Sequence, residues 1–220
     1  MNIDKLIKGN KKFKDANFPT LEGRFEDLVE NGQKPTILFI GCSDSRVVPD
    51  LIVDSKPGDM FILRNIGNFV PPYRSDNDFH GSSAAIEYAV SVLNVKDIIV
   101  CGHSHCGACA ALYQDLSDEP HLQHVKKWLE LGHKAKEYTL LANPHAKLDL
   151  LNKGDKEQIL RTTERISIKH QLENLLTYPE IFRKVNSGEL DIHGWYYKIE
   201  DGSIEYYDGE SCDFKLLGDN

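Results

Sequence analysis

Strand-like and helix-like segments alternate along this chain, which predicts an α/β fold around a mostly parallel sheet. Three observations carry that expectation. "TILFI" (36–40), "DMFILRN" (59–65) and "VKDIIVCGH" (95–103) are short apolar runs of the kind buried on both faces of a sheet. Helical stretches separate them. A late hairpin is expected in "ELDIHGWYYKIEDGSIEYYD", around the Asp201-Gly202 turn.

In chain order, residues 4–17 place Leu6, Ile7 and Phe13 on one helical face, and residues 21–31 do the same with Leu21, Phe25, Leu28 and Val29. Two amphipathic helices therefore precede the first strand and make residues 1–34 an N-terminal helical arm on a domain spanning 1–220. Pro35 stands just before the first strand. "VVPDLIVD" reads as a short helix that tolerates Pro49 in its first turn. After the second strand, "GSSAAIEYAVSVLN" is a helix whose serines can cap it. "CGACAALYQDL" opens another helix after the third strand, and two longer ones follow in "PHLQHVKKWLELGHKAKEY" and "DKEQILRTTERISIKHQLENLL".

Bulk composition narrows the function. At 220 residues the chain can bury a sizeable core. Its net charge of -8 argues against a nucleic-acid surface and fits a small or anionic ligand held in a local basic pocket. The basic segment "MNIDKLIKGNKKFKDANF" lacks the apolar core of a signal peptide. No run approaches the ~18 apolar residues of a membrane helix. Cytoplasm is the expected compartment, with no membrane partner. Five cysteines, three of them within nine residues, make a poor disulfide framework and point to metal or thiol chemistry.

"GCSDSR" (41–46) and "CGHSHCGAC" (101–109) fall at the carboxyl ends of the first and third strands, where α/β sheets bind ligands. His103 and Cys106 are spaced to share a metal across a turn, and Cys42 stands at the matching end of another strand. Three ligands plus a water is the layout of a catalytic zinc. Singly, each piece has a plainer reading: a cysteine after a strand is ordinarily a small buried hydrophobe. Cys106 to Cys109 also has the spacing of a dithiol motif. Cys101 and Cys109 read as packing, and Cys212 has no evident partner. His121, His124, His133, His145, His170 and His193 are scattered, with surface or core roles expected.

On an extended segment residues 42, 44 and 46 face the same way. Asp44 and Arg46 therefore read either as a surface ion pair or as a pair serving the metal. In the second case Asp44 orients the metal's water and Arg46 keeps Asp44 in place and ionised. Asp44 could instead bind zinc directly, which would close the site.

"CSDSR", "RNIGN" and "GHSHCG", in this order and spacing, resemble the β-class carbonic anhydrases over about residues 3 to 210. The resemblance implies Zn2+ on Cys42, His103 and Cys106, an Asp44–Arg46 dyad, and reversible hydration of carbon dioxide to bicarbonate. It also implies an antiparallel edge strand and a homodimer or homotetramer, with N-terminal helices crossing to the partner. Gln33, Phe61, Ile66 and Tyr88 match the substrate pocket of the plant-like, open-site subclass, with Gln33 reaching in from the neighbouring chain. Phe39 stands where the allosteric bacterial subclass has Trp, although Arg64 and Tyr197 remain. His105 and Tyr88 are the candidates for passing on the proton. Competing functions are a sulfur-for-oxygen hydrolase on the same scaffold, a non-enzymatic zinc protein and a dithiol oxidoreductase.

Overall fold

The computed structural model describes residues 1–75, 80–144 and 153–218. Six strands form one sheet in the order β2-β1-β3-β4-β5-β6. They are β1 (Ile37–Cys42), β2 (Met60–Asn65), β3 (Asp97–His103), β4 (Asp191–Tyr197), β5 (Ile204–Asp208) and β6 (Asp213–Leu216). The first four run parallel, and β5 and β6 are antiparallel additions at one side. The expected single antiparallel edge strand is thus two. β1 and β3 are central, and both are buried along nearly their whole length. Their unbroken apolar runs have no polar face because helices and loops cover both sides.

The helices are α1 (Ile3–Lys12), α2 (Glu22–Asn31), α3 (Pro49–Val53), α4 (Gly81–Glu87), α5 (Gly107–Ala111), α6 (Gln123–Leu129), α7 (His133–Ala142), α8 (Lys153–Leu175) and α9 (Pro179–Asn186). One large core, including Leu38, Ile40, Ile98, Val100, Ile168 and Tyr196, fills the space between sheet and helices. A smaller cluster of Phe39, Ile99 and Cys101 lies apart from it. α8 packs directly on backbone: a Cβ on Gly102 would meet Ile168 Cγ1 at 2.7 Å, and one on Gly194 would meet Ile168 Cγ2 at 2.8 Å. That approach fixes the residues one turn before Ile168 at the carboxyl ends of β3 and β4.

Several expectations change in detail. The serines of "GSSAAIEYAVSVLN" do not cap α4; His80 occupies the N-cap position, with no side-chain cap bond. The Ser82 hydroxyl instead accepts from Asn65 Nδ2 at 3.3 Å, and Ser83 accepts from Tyr178 OH at 2.8 Å, so both are spent on tertiary contacts. The long stretch from Pro120 breaks into a 3-10 turn, α6, a second 3-10 turn and α7. Gly132 sits at the break, where a Cβ would meet the Phe69 ring at 2.9 Å.

α1 and α2 bury no residue within the chain. Ile3, Leu6 and Ile7 of α1 are exposed despite sharing one apolar face. α2 touches the body at Gly58, where a Cβ would lie 2.7 Å from Leu28 Cδ2.

Candidate metal centre

β1 and β3 are parallel neighbours with Gly41 opposite Cys101, so Cys42 and His103 end side by side. The chain then turns through Ser104 and His105 and delivers Cys106 as the N-cap residue of α5. Cys42, His103 and Cys106 are all buried, and their ligand atoms lie within 4.8 Å of one another. Among the described residues no other group of His, Cys, Asp or Glu is so arranged.

The fit to a metal can be tested on the imidazole. His103 Nδ1 lies 2.8 Å from the Ser104 carbonyl and donates to it, which assigns the lone pair to Nε2. Nε2 is buried and has no hydrogen-bond partner. A buried polar atom left this way calls for an explanation, and a metal between it and two sulfurs supplies one. A hydrogen bond with Cys106, then burial, pushes the Cys42 thiol up to about 12. Cys106 is also raised, first by its hydrogen bond with Cys109. Without an ion these thiols therefore keep their protons at neutral pH, and a divalent cation would displace them. Two thiolates and one imidazole are the donor set that zinc favours.

Asp44 and Arg46 are paired, but not by strand alternation. The extended backbone ends at Cys42, and Asp44 folds back through a turn in which its Oδ1 accepts from the Arg46 amide at 2.9 Å. Arg46 Nε donates to the same oxygen at 2.9 Å and Nη2 to Oδ2 at 2.7 Å. These side-chain bonds hold the Asp44 carboxyl well below the usual carboxylate range. Arg46 Nη2 also donates to the His105 carbonyl at 3.0 Å, which ties the two motifs together.

Three supporting side chains have roles that the sequence reading does not give them. Arg64 donates to the carbonyls of Cys42 and Asp44 at 2.9 and 2.8 Å, and so pins the loop after β1. Glu164 on α8 is buried; it accepts from the Cys106 amide at 3.0 Å, Arg161 Nη2 at 2.9 Å and Tyr196 OH at 2.8 Å. Burial pushes its carboxyl up to about 7, against these donors, which favour the ionised form. A signal was present: Glu164 is spaced four and eight residues before Ile168 and Leu172, in line with the buried face of α8. Glu200 contacts Ser104 and His105 from the β4–β5 connection.

The pocket candidates separate. Ile66 directly follows Asn65, the partner of Cys42 on β2, and is half exposed. Phe61 pairs with Leu38, about 13 Å back along the strand at the usual rise. It packs on Tyr88 with ring centroids 5.8 Å apart. Gln33 is exposed before β1, at the far end of that strand from Cys42. One chain therefore does not bring Gln33, Phe61 and Tyr88 to the cluster. Cys101 and Cys109 are buried and Cys212 is exposed. His145 lies outside the described residues.

Residues 37–204 match the family model described as carbonic anhydrase. The chain belongs to the carbonic anhydrase family. A carbonic anhydrase of Synechocystis sp. is 42% identical over 212 residues, covering 96% of this chain and 73% of the relative. A Helicobacter pylori carbonic anhydrase is 36% identical, covering 98% and 95%. Among solved structures, the β-carbonic anhydrase CcaA superposes with a TM-score of 0.87 at 41% identity, over 97% of this chain and 91% of that one. A tetrameric β-carbonic anhydrase of Sordaria macrospora gives 0.76 at 29% identity, over 98% and 96%. This carbonic anhydrase is thus of the β class, and the resemblance of its three motifs is borne out across the fold.

Proposed function

We propose that Cys42, His103 and Cys106 hold a zinc ion and that Asp44 and Arg46 orient the nucleophile for the reversible hydration of carbon dioxide. The observation that carries the metal assignment is the buried, partnerless Nε2 of His103 facing two thiols. Bound zinc supplies a water acidic enough to be a nucleophile near neutral pH.

The chain's own residues do the rest. Cys42 and Cys106 as thiolates neutralise the ion, so the site can be buried without a large unpaired charge. Asp44, ionised, would accept a hydrogen bond from the attacking water and so aim its lone pair. Arg46 occupies both carboxylate oxygens, which keeps Asp44 ionised and off the metal. Ile66 gives the entrance an apolar wall suited to carbon dioxide. The proton released at each turnover leaves to solvent or buffer; Tyr88 packs on Phe61, away from the cluster, and His105 is tied to Glu200.

A substrate pocket that also includes Gln33, Phe61 and Tyr88 needs a second copy of the chain. The exposed apolar face of α1 supports such a homo-oligomer. No described helix is long and apolar enough to cross a membrane, in keeping with a cytoplasmic enzyme.

Metal analysis joined to a carbon dioxide hydration assay tests the reading. About one zinc per chain is expected, and Cys42→Ser or His103→Ala should lose zinc and activity together. Full zinc occupancy in both variants would mean that the ligands lie elsewhere.

A further inference from the structure

The turn between His103 and Cys106 contains Ser104 and His105, which the reading above leaves without a role. One side chain from a distant part of the sequence grips both. Glu200 Oε2 accepts from Ser104 Oγ at 2.6 Å, and Glu200 Oε1 lies 2.6 Å from His105 Nε2. The adjacent Ile199 amide donates to Ser104 Oγ at 2.9 Å, and the Ser104 amide donates to the Tyr197 carbonyl at 2.9 Å. The β4–β5 hairpin is thereby stitched to the turn by side chain and backbone alike.

The turn needs such a clamp. His105 has φ of +57°, a left-handed conformation disfavoured for a residue with a Cβ. In that conformation its carbonyl receives Arg46 Nη2 at 3.0 Å. The Ser104 carbonyl, one residue earlier, receives His103 Nδ1 at 2.8 Å. The two clamped residues therefore present one carbonyl to each half of the site.

We propose that Glu200 is a positioning residue for the reaction: by holding Ser104 Oγ and His105 Nε2, it sets the two carbonyls that orient His103 and Arg46. It thereby fixes the metal triad relative to the Asp44–Arg46 pair. The inference rests on the proposed roles of that triad and pair. Partners one shell away from a metal ligand commonly change affinity or activity by roughly 10- to 100-fold, and Glu200 acts on both halves at once.

The test compares zinc-loaded parent, Glu200→Ala, Glu200→Gln and His105→Gly. The readouts are kcat and KM for carbon dioxide, the half-time of zinc loss to a chelator, and Tm. Glu200→Ala should lower kcat roughly tenfold or more with KM little changed, and should speed zinc loss by a similar factor. Glu200→Gln keeps an acceptor for Ser104 and a polar partner for His105, and should recover most of both. His105→Gly keeps the left-handed turn at no steric cost but cuts one arm of the clamp, so its kcat and zinc loss should fall between parent and Glu200→Ala.

Parent-like kcat and zinc loss in Glu200→Ala would overturn the inference. So would a loss that follows Tm and is not recovered by Glu200→Gln, because that marks a hairpin anchor only. If Glu200→Ala does not fold, unchanged kcat and zinc loss in His105→Gly overturn it instead. A parent chain without zinc or without carbon dioxide hydration would sink the underlying assignment, a result distinct from all of these.

Discussion

Glu164 offers the sharpest energetic test of the layer behind the metal ligands. It is 2% exposed and accepts three hydrogen bonds, from the Cys106 amide, Arg161 and Tyr196. Glu164→Ala strands all three donors and, among the described residues, leaves the Arg161 guanidinium with Glu200, 3.7 Å away, as its ion-pair partner. Breaking a buried pair by removing one partner costs about 3–5 kcal/mol, and that is the expected loss in urea unfolding. Tyr196→Phe removes a single donor and should cost about 1–1.5 kcal/mol. Glu164→Gln should fall between them, since the amide keeps one acceptor oxygen. A pH arm adds an independent check on the metal-free protein. Burial raises the folded-state carboxyl from 4.5 to about 7. For an acid the sign is unfavourable to folding once it ionises: the contribution is constant below about pH 4.5, falls as pH rises towards 7, and is flat above. A shift of that size corresponds to roughly 3 kcal/mol. The stability difference between parent and Glu164→Gln should therefore change between pH 5 and 7 in the Gln variant's favour. Equal differences at pH 5 and 8, with Glu164→Ala within about 1 kcal/mol of parent, would refute the reasoning.

Four further outcomes are expected. Arg46→Ala removes two of the three bonds that Arg46 makes to Asp44, leaving only its amide; zinc analysis should find the metal retained while hydration activity collapses, because the freed carboxylate can close the site. Asp44→Asn should also keep zinc but lose about 10²-fold in kcat, as for other positioned acid–base groups. Cys109→Ser should leave hydration nearly intact, because Cys109 is buried packing beside the Cys106 sulfur; a loss equal to that of Cys106→Ser would favour dithiol chemistry. Gly102→Ala forces a Cβ to within 2.8 Å of Ile168 and should cost about 1–3 kcal/mol in thermal or urea unfolding.

The parts of the fold that could be read early share one property: their signal is local. β1, β2 and β3 announce themselves as unbroken apolar runs, and the hairpin by Asp201-Gly202. The sequence reading contains neither α9 nor β6, both of which are short. α9 is a helix of only eight residues, and β6 is a four-residue edge strand with mostly exposed side chains. The sequence reads α8 as a helix but does not mark it as the helix at the centre. Its buried face includes Thr163, Glu164, Gln171 and Asn174, polar groups paired to distant backbone and side chains. Hydrophobic periodicity is blind to burial of that kind, because it scores each such residue as surface.

The same division explains the site. Cys42, Asp44 and Arg46 lie within five residues, and His103 and Cys106 within four, so a parallel sheet joining two strand ends was enough to bring them together. Arg64, Glu164 and Glu200 support that constellation from 20 to 96 residues away, through bonds to backbone atoms as often as to side chains. Their identity depends on the folded register and has no spacing rule of its own. Gln33, Phe61 and Tyr88 form a third class, matched by motif yet set apart from the cluster within one chain. A pocket needs its walls within van der Waals reach of the substrate, and a rigid sheet cannot move Phe61 about 13 Å along its own strand. Either these residues line another copy's cluster or they are not pocket residues. Phe61→Ala and Tyr88→Ala distinguish the two: raised KM with zinc content unchanged, restored in part when the variant is mixed into oligomers with a Cys42→Ser chain, is expected only if the site is shared between copies.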